Sequence, residues 1–254
     1  MKAVILAAGI ASRLRPLTNN KPKCLLKIGE RCLLERTIDA LIKNGITEII
    51  IVTGYLHNMI EDFVNTKYAG LNISFVYNAK YASTNNIYSL WLAKPYITGI
   101  SQHGSNGATG DGVLLLDSDI LFDSQVIAKL NASPYKNCLA LNSHELGDEE
   151  IKVITGSTGE VIEINKTCPA KDAVGESIGI EKMSPQYIDA LFKELDKMIN
   201  TEGLSNVFYE LAFERLIPGG NRFYPVDTSE YFSMELDTVE DFNDAVNRIP
   251  KHLL

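Results

Sequence analysis

Residues 1–27 read MKAVILAAG (1–9), IASRLRPLT (10–18) and NNKPKCLLK (19–27). The apolar run from Ala3 to Ala8 has the length of one buried strand. It stops at Gly9, beyond which the small residues Ala11 and Ser12 are followed by basic ones. A buried strand, a tight small-residue loop and then Arg and Lys suit a cradle for a polyphosphate. Small side chains let backbone N–H groups approach an anion, and the cations neutralise its charge. The alternative, a helix with a solvated basic face, is disfavoured because Pro16 and Pro22 bracket the stretch.

Charge sharpens this reading. Residues 1–36 hold eight basic and two acidic residues, a net +6, in a 254-residue chain of formal charge −8. The remainder therefore carries −14. Overall acidity argues against non-specific nucleic-acid or membrane-surface binding, whereas a local basic segment argues for a small anionic ligand. Hydrophobic content of 45% and charged content of 22% are ordinary for a globular protein. No run approaches the ~20 apolar residues of a membrane span. The N-terminal apolar run is too short for a secretory h-region, so a cytoplasmic location is expected. Cys24, Cys32, Cys138 and Cys168 lack CxxC spacing, which fits reduced thiols. His57, His103, His144 and His252 lack metal-ligand spacing.

Strand-like and helix-like segments alternate along the first half. Strands are expected at 2–8, 48–53, 72–77, 112–116 and 138–142. Helices are expected at 33–43, 58–64, 86–93 and 124–130. This order implies βαβ units and a largely parallel sheet. The second half reads as a hairpin over 151–164, a strand at 177–181 and helices at 185–200 and 207–216. A strand at 231–236 and a helix at 238–248 complete it. Ser184 caps the first of these helices, and Thr238 with Asp241 caps the last. Residues 102–112 (QHGSNGATGDG) read as a flexible loop. The expected class is α/β with a mostly parallel sheet, read as one domain over 1–254 with an irregular C-terminal lobe.

In open parallel sheets, ligands sit beyond the carboxyl ends of the strands. The basic loop follows the first strand, Asp117 and Asp119 follow the fourth, and Asp237 follows the last. Two carboxylates from distant segments facing a phosphate cradle suit Mg²⁺, with Asp119 and Asp237 as ligands. Each could instead cap a neighbouring helix. The loop lacks GxGxxG, since position 11 is Ala and position 14 is Leu. It also lacks GxxxxGK[ST]. A dehydrogenase and a Walker-type ATPase are therefore disfavoured.

The stretch Ala7-Ala-Gly9, Arg13, Pro16-Leu-Thr18 and Pro22-Lys23 resembles the pattern GxGxRxxPxTxxxPK of the sugar-phosphate nucleotidyltransferase family. Ala11 departs from it, and its methyl is tolerated if φ stays negative. Thr84-Asn-Asn-Ile-Tyr-Ser89, Gly175-Glu-Ser-Ile-Gly179-Ile and Glu235-Leu-Asp237-Thr resemble the bacterial cytidylyltransferases for phosphocholine and related phosphorylated alcohols or amines. The resemblance implies a Rossmann-like three-layer sandwich with a mostly parallel mixed sheet, in which a nucleotide-binding half (1–145) is followed by a half (146–254) that binds the acceptor and completes the metal site. It implies backbone contacts to base and ribose from Leu6, Ala7, Ala8 and Gly9. It implies that Arg13 grips the β- and γ-phosphates, and that Lys23 sits on the α-phosphate. Asp119 and Asp237 would hold Mg²⁺. Asn78, Thr84 and Asn86 would lie near the base, although Asn85-Asn86 is equally a helix start. Lys166 and Glu176 would approach the acceptor.

A choline-like acceptor favours aromatic faces and a carboxylate. Tyr209 and Glu210 are the pair expected to meet it. The implied partners are a nucleoside triphosphate, with CTP favoured, and a phosphorylated small molecule. Neither nucleic acid nor membrane is implied, and a homodimer is left open. Two alternatives stand beside this reading: a sugar-1-phosphate uridylyl- or thymidylyltransferase, and a nucleotide-binding regulatory module without catalysis.

Overall fold

The computed structural model describes residues 1–99 and 112–254. The loop expected at 102–112 lies outside the described residues, apart from Gly112. The elements run β1 (Lys2–Ala7), β2 (Lys27–Ile28), β3 (Arg31–Cys32), α1 (Leu33–Lys43), β4 (Glu48–Thr53), α2 (His57–Lys67) and β5 (Asn72–Tyr77). Next come α3 (Asn86–Leu92), α4 (Lys94–Thr98), β6 (Val113–Asp117), β7 (Ile120–Phe122), α5 (Gln125–Ala132) and β8 (Cys138–Asn142). The chain continues through β9 (Lys152–Thr155), β10 (Val161–Asn165), β11 (Gly175–Met183), α6 (Pro185–Asp196) and α7 (Glu210–Leu216). It closes with β12 (Tyr224–Asp227), β13 (Ser233–Glu235) and α8 (Val239–Arg248).

The main sheet has the order β10-β9-β11-β6-β1-β4-β5, with β8 on β11 and β12 on β8. β6, β1, β4 and β5 are parallel to their neighbours in this run. β11 enters antiparallel to β6, so the sheet is mixed. Both faces are covered, as parallel strands require. Alternate residues of β1 point to opposite sides. Val4 and Leu6 join Leu90, Ile188 and Phe213 in one core. Ala3, Ile5 and Ala7 join Ile38, Leu41 and Val126 in the other. Three layers follow directly from that alternation.

The second half is more regular than an irregular lobe. β9 to β12 extend the same sheet, and β12 was not expected from the sequence. The late strand is short, Ser233–Glu235, and pairs antiparallel with β7, away from the main sheet. Helix α7 begins at Glu210 rather than Val207. Helix α6 ends at Asp196 and passes into a wider π turn over Lys197–Thr201. Both expected caps form: Ser184 accepts from the Tyr187 amide, and Thr238 and Asp241 make a reciprocal capping box. All four cysteines are buried free thiols. Among the described residues, no helix is long and apolar enough to cross a membrane.

Candidate active site

A cavity of about 480 Å³ opens at the carboxyl ends of β1 and β6. The loop after β1 forms one wall, and sequence chemistry fixes its shape. Ala11 adopts the left-handed conformation, φ 52° and ψ 53°. The expectation of a negative φ there is corrected: the turn needs the conformation that glycine adopts without cost. The buried Thr18 hydroxyl donates to the Ala11 carbonyl at 2.9 Å and ties the loop back on itself. The Tyr55 hydroxyl donates to the carbonyls of Thr18 and Asn19. Gly54 lets the next strand end approach closely, because a Cβ there would meet the Ala8 carbonyl oxygen at 2.5 Å. Pro22 then starts a single tight turn, Lys23–Leu25, which presents Lys23 to the cavity.

The Lys23 side chain is only 10% exposed. Its ammonium donates to Asp119 Oδ2 at 2.9 Å and to Asp237 Oδ1 at 2.5 Å. Arg13 pairs with the other oxygen of Asp237. Burial pulls the Lys23 pKa down, but the two carboxylates outweigh it and the net shift is upward. Burial pushes Asp237 up, but Lys23 and Arg13 more than offset this and hold it below its ordinary value. The short β7–β13 pairing joins the two acidic segments, with the Leu236 amide donating to the Asp119 carbonyl. Glu235 stands with them: one ligand oxygen each from Asp119, Glu235 and Asp237 lies within 4.8 Å of the others. Such a set of hard oxygen donors fits a hard divalent cation.

Every expected site residue but one lines this cavity. Leu6, Ala7, Ala8 and Gly9 form its floor beside the loop, and Asn78, Thr84 and Asn86 stand together on one side. The Asn78 amide is already engaged: it donates to Thr84 and Ser89, and its oxygen accepts from the Lys80 amide. Asn85 caps α3, so the helix-start reading holds for that residue. Asn86 Oδ1 accepts from the Tyr209 amide at 3.0 Å, which leaves its NH₂ group for a ligand. Lys166 and Glu176 also line the cavity. The Lys166 ammonium lies 3.2 Å from Glu149 and over the Phe208 ring. Glu176 receives the His144 imidazole at 2.7 Å.

Tyr209 is the exception and is corrected. Its ring is fully buried, at 0% exposure, behind the cavity wall. Its hydroxyl sits 3.1 Å from Asp117 Oδ2 and 3.3 Å from Glu181 Oε2. One phenol proton serves only one of these contacts, so a carboxyl proton must serve the other. Burial and neighbouring acids push both Asp117 and Glu181 well above the carboxylate range, in keeping with that. Tyr209 therefore props the wall rather than touching a ligand. Its neighbour Glu210 does line the cavity.

The sequence reading missed Glu235 and Glu149. Glu235 was legible: it stands two residues before Asp237 in the Glu235-Leu-Asp237-Thr run and closes β13. Glu149, on an irregular segment with no periodicity, gave no signal.

The nucleotidyl transferase family model matches residues 2–138. A choline-phosphate cytidylyltransferase of Streptococcus pneumoniae is 47% identical over 94 residues, 37% of this chain and 39% of that protein. The chain thus aligns with about two fifths of that relative's length. A CTP:phosphoglutamine cytidylyltransferase of Campylobacter jejuni is 27% identical across 98% of this chain and 100% of that protein. Among solved structures, the CTP:phosphocholine cytidylyltransferase of Streptococcus pneumoniae superposes with a TM-score of 0.76 at 25% identity, covering 97% of each chain. With its loop, its paired lysine and its acidic triad on the same sheet edge, the chain belongs to the nucleotidyl transferase family.

Proposed function

We propose that the protein transfers a cytidylyl group from CTP to the phosphate or phosphonate of a small amino alcohol or amine and releases pyrophosphate. The observation that carries this reading is Lys23, an ammonium buried between Asp119 and Asp237 at the mouth of the β1 loop. Cytidylyltransferase relatives over the full chain favour CTP over UTP or dTTP. The paired Arg13, Lys23, Asp119 and Asp237 disfavour a regulatory module.

An acceptor oxygen forms a bond to the α-phosphorus as the bond to the pyrophosphate oxygen breaks in line. Such transfer is mostly positioning and electrostatics. A phosphomonoester is already largely anionic at neutral pH, so no base is needed. Leu6 to Gly9 offer backbone groups to base and ribose, with the Asn86 amide beside Thr84 and Asn78 near the base. Arg13 grips the outer phosphates. Lys23 turns from its carboxylates to the α-phosphate and steadies the charge that develops there. Asp119 and Asp237, with Glu235 beside them, would hold Mg²⁺. When bound, that ion supplies positive charge to the triphosphate. Lys166 meets the acceptor phosphate.

The test is pyrophosphate release with Mg²⁺ across CTP, UTP, dTTP, ATP and GTP, each crossed with phosphorylated amines and sugar 1-phosphates. Turnover confined to CTP with an amine phosphate or phosphonate is expected. Turnover confined to UTP or dTTP with a sugar phosphate refutes the reading.

A further inference from the structure

Glu210 stands out as a carboxyl with one oxygen unserved, its own backbone amide being the donor that meets the group. It is 5% exposed and lines the cavity, yet its Oε2 atom has no hydrogen-bond partner. No cation among the described residues forms an ion pair with it. The nearest candidate along the wall, Lys166, is engaged by Glu149 and lies over Phe208. A buried, unpartnered carboxylate is costly, and a fold keeps one facing a cavity when a ligand supplies the missing charge. Burial raises Glu210 to about 7, so the group sits near balance until a cation arrives.

The surroundings say what kind of cation. A trimethylammonium has no N–H to donate and is held mainly by aromatic faces. Two aromatic side chains line the cavity, Tyr81 and Phe208. Lys166 already lies over Phe208. Tyr81 belongs to the other end, where its amide donates to the Asn78 carbonyl. Tyr209, which would add another face, is buried with its hydroxyl turned to Asp117 and Glu181. A group that donates N–H to a lone carboxylate oxygen matches this wall, and a methylated one does not.

We infer that Glu210 is the specificity-determining anchor for an N–H-bearing ammonium on the acceptor, so that primary amines are used in preference to trimethylated ones. The inference rests on the cytidylyl-transfer reading above and narrows its acceptor.

The experiment measures kcat/KM with CTP for phosphoethanolamine, 2-aminoethylphosphonate, phosphocholine and the uncharged propyl phosphate. The primary amines should exceed both phosphocholine and propyl phosphate by about tenfold or more. Glu210→Gln should raise the KM of the primary amines by about 10- to 100-fold, with the KM for CTP within about twofold. Glu210→Asp, which keeps the charge, should recover part of the loss and guards against a folding defect in the amide variant. Equal or better use of phosphocholine overturns the inference while leaving cytidylyl transfer intact. So does an unchanged amine KM in Glu210→Gln. Turnover confined to sugar phosphates with another nucleotide overturns both.

Discussion

Replacing Lys23 by alanine separates two roles of one ammonium. In the resting site it lies 2.9 Å from Asp119 and 2.5 Å from Asp237, and both partners are partly solvated. At an effective dielectric of ~20, each pair attracts by about 6 kcal/mol before the cost of desolvation. Much of that attraction is cancelled, but the ammonium still occupies the carboxylates a divalent ion needs. Two unit charges about 4 Å apart interact by about 1 kcal/mol even in water, so a dication held by the same oxygens would be repelled by the neighbouring ammonium by about 2 kcal/mol. Removing the ammonium should therefore tighten binding of Mn²⁺ alone, without nucleotide, by about tenfold or more. Turnover should move the other way. A lost charge-stabilising donor typically costs about 3–4 kcal/mol, or 10²–10³ in kcat. Calorimetric titration with Mn²⁺ measures the first effect, and pyrophosphate release measures the second. Turnover within about threefold of the parent, or weaker metal binding, would refute the reasoning.

Ala11→Gly should relieve left-handed strain of ~1–2 kcal/mol. Greater freedom of the unfolded chain offsets ~0.4–1 kcal/mol of that. A thermal melt should show a rise of about 1–3 °C with turnover kept, and a fall contradicts the strain assigned to φ 52°. Gly54→Ala drives a methyl into the Ala8 carbonyl and should cost about 1–3 kcal/mol while raising the KM for nucleotide; an unchanged KM would detach this contact from the nucleotide loop. Burial pulls His144 down, but its bonds to Glu176 and the Glu145 carbonyl outweigh this, so its pKa is raised in the folded protein. That pairing is fully present below the ordinary value of about 6.5 and is lost as pH rises through the raised one. Proteolysis within 143–151 should therefore quicken as pH rises above about 6.5, and His144→Phe should flatten the trend; cleavage that slows over that rise would contradict it.

How far the sequence could be read depended on the range of the interactions. The helix at 33–43 and the strands at 48–53, 72–77 and 138–142 appear with the bounds their local pattern predicted, because each is set by its own run of apolar residues. β7 and β12 are short, and their pairing partners lie far off in the chain, so local pattern could not show them, whereas the strand expected at 231–236 is present as the shorter β13. The phosphate loop was legible in composition but not in conformation. A small residue at position 11 signalled a tight turn, yet nothing local gave the sign of its φ. Tyr209 and Glu210 show the same limit at the site. Adjacent in sequence, one faces the core and the other the cavity, and only the placement of α7 decides which.

The pairing of β7 with β13 has a consequence for biosynthesis. The three acids that surround Lys23 come from positions 119, 235 and 237, so the cluster cannot close until the ribosome has released the chain through Asp237. A nascent or truncated product ending before Ser233 would carry the complete nucleotide loop with Lys23 facing Asp119 alone. Such a product would lack Glu235 and Asp237. The charge cluster is thus joined by residues as much as 214 positions apart and forms only once both ends of that span have been made.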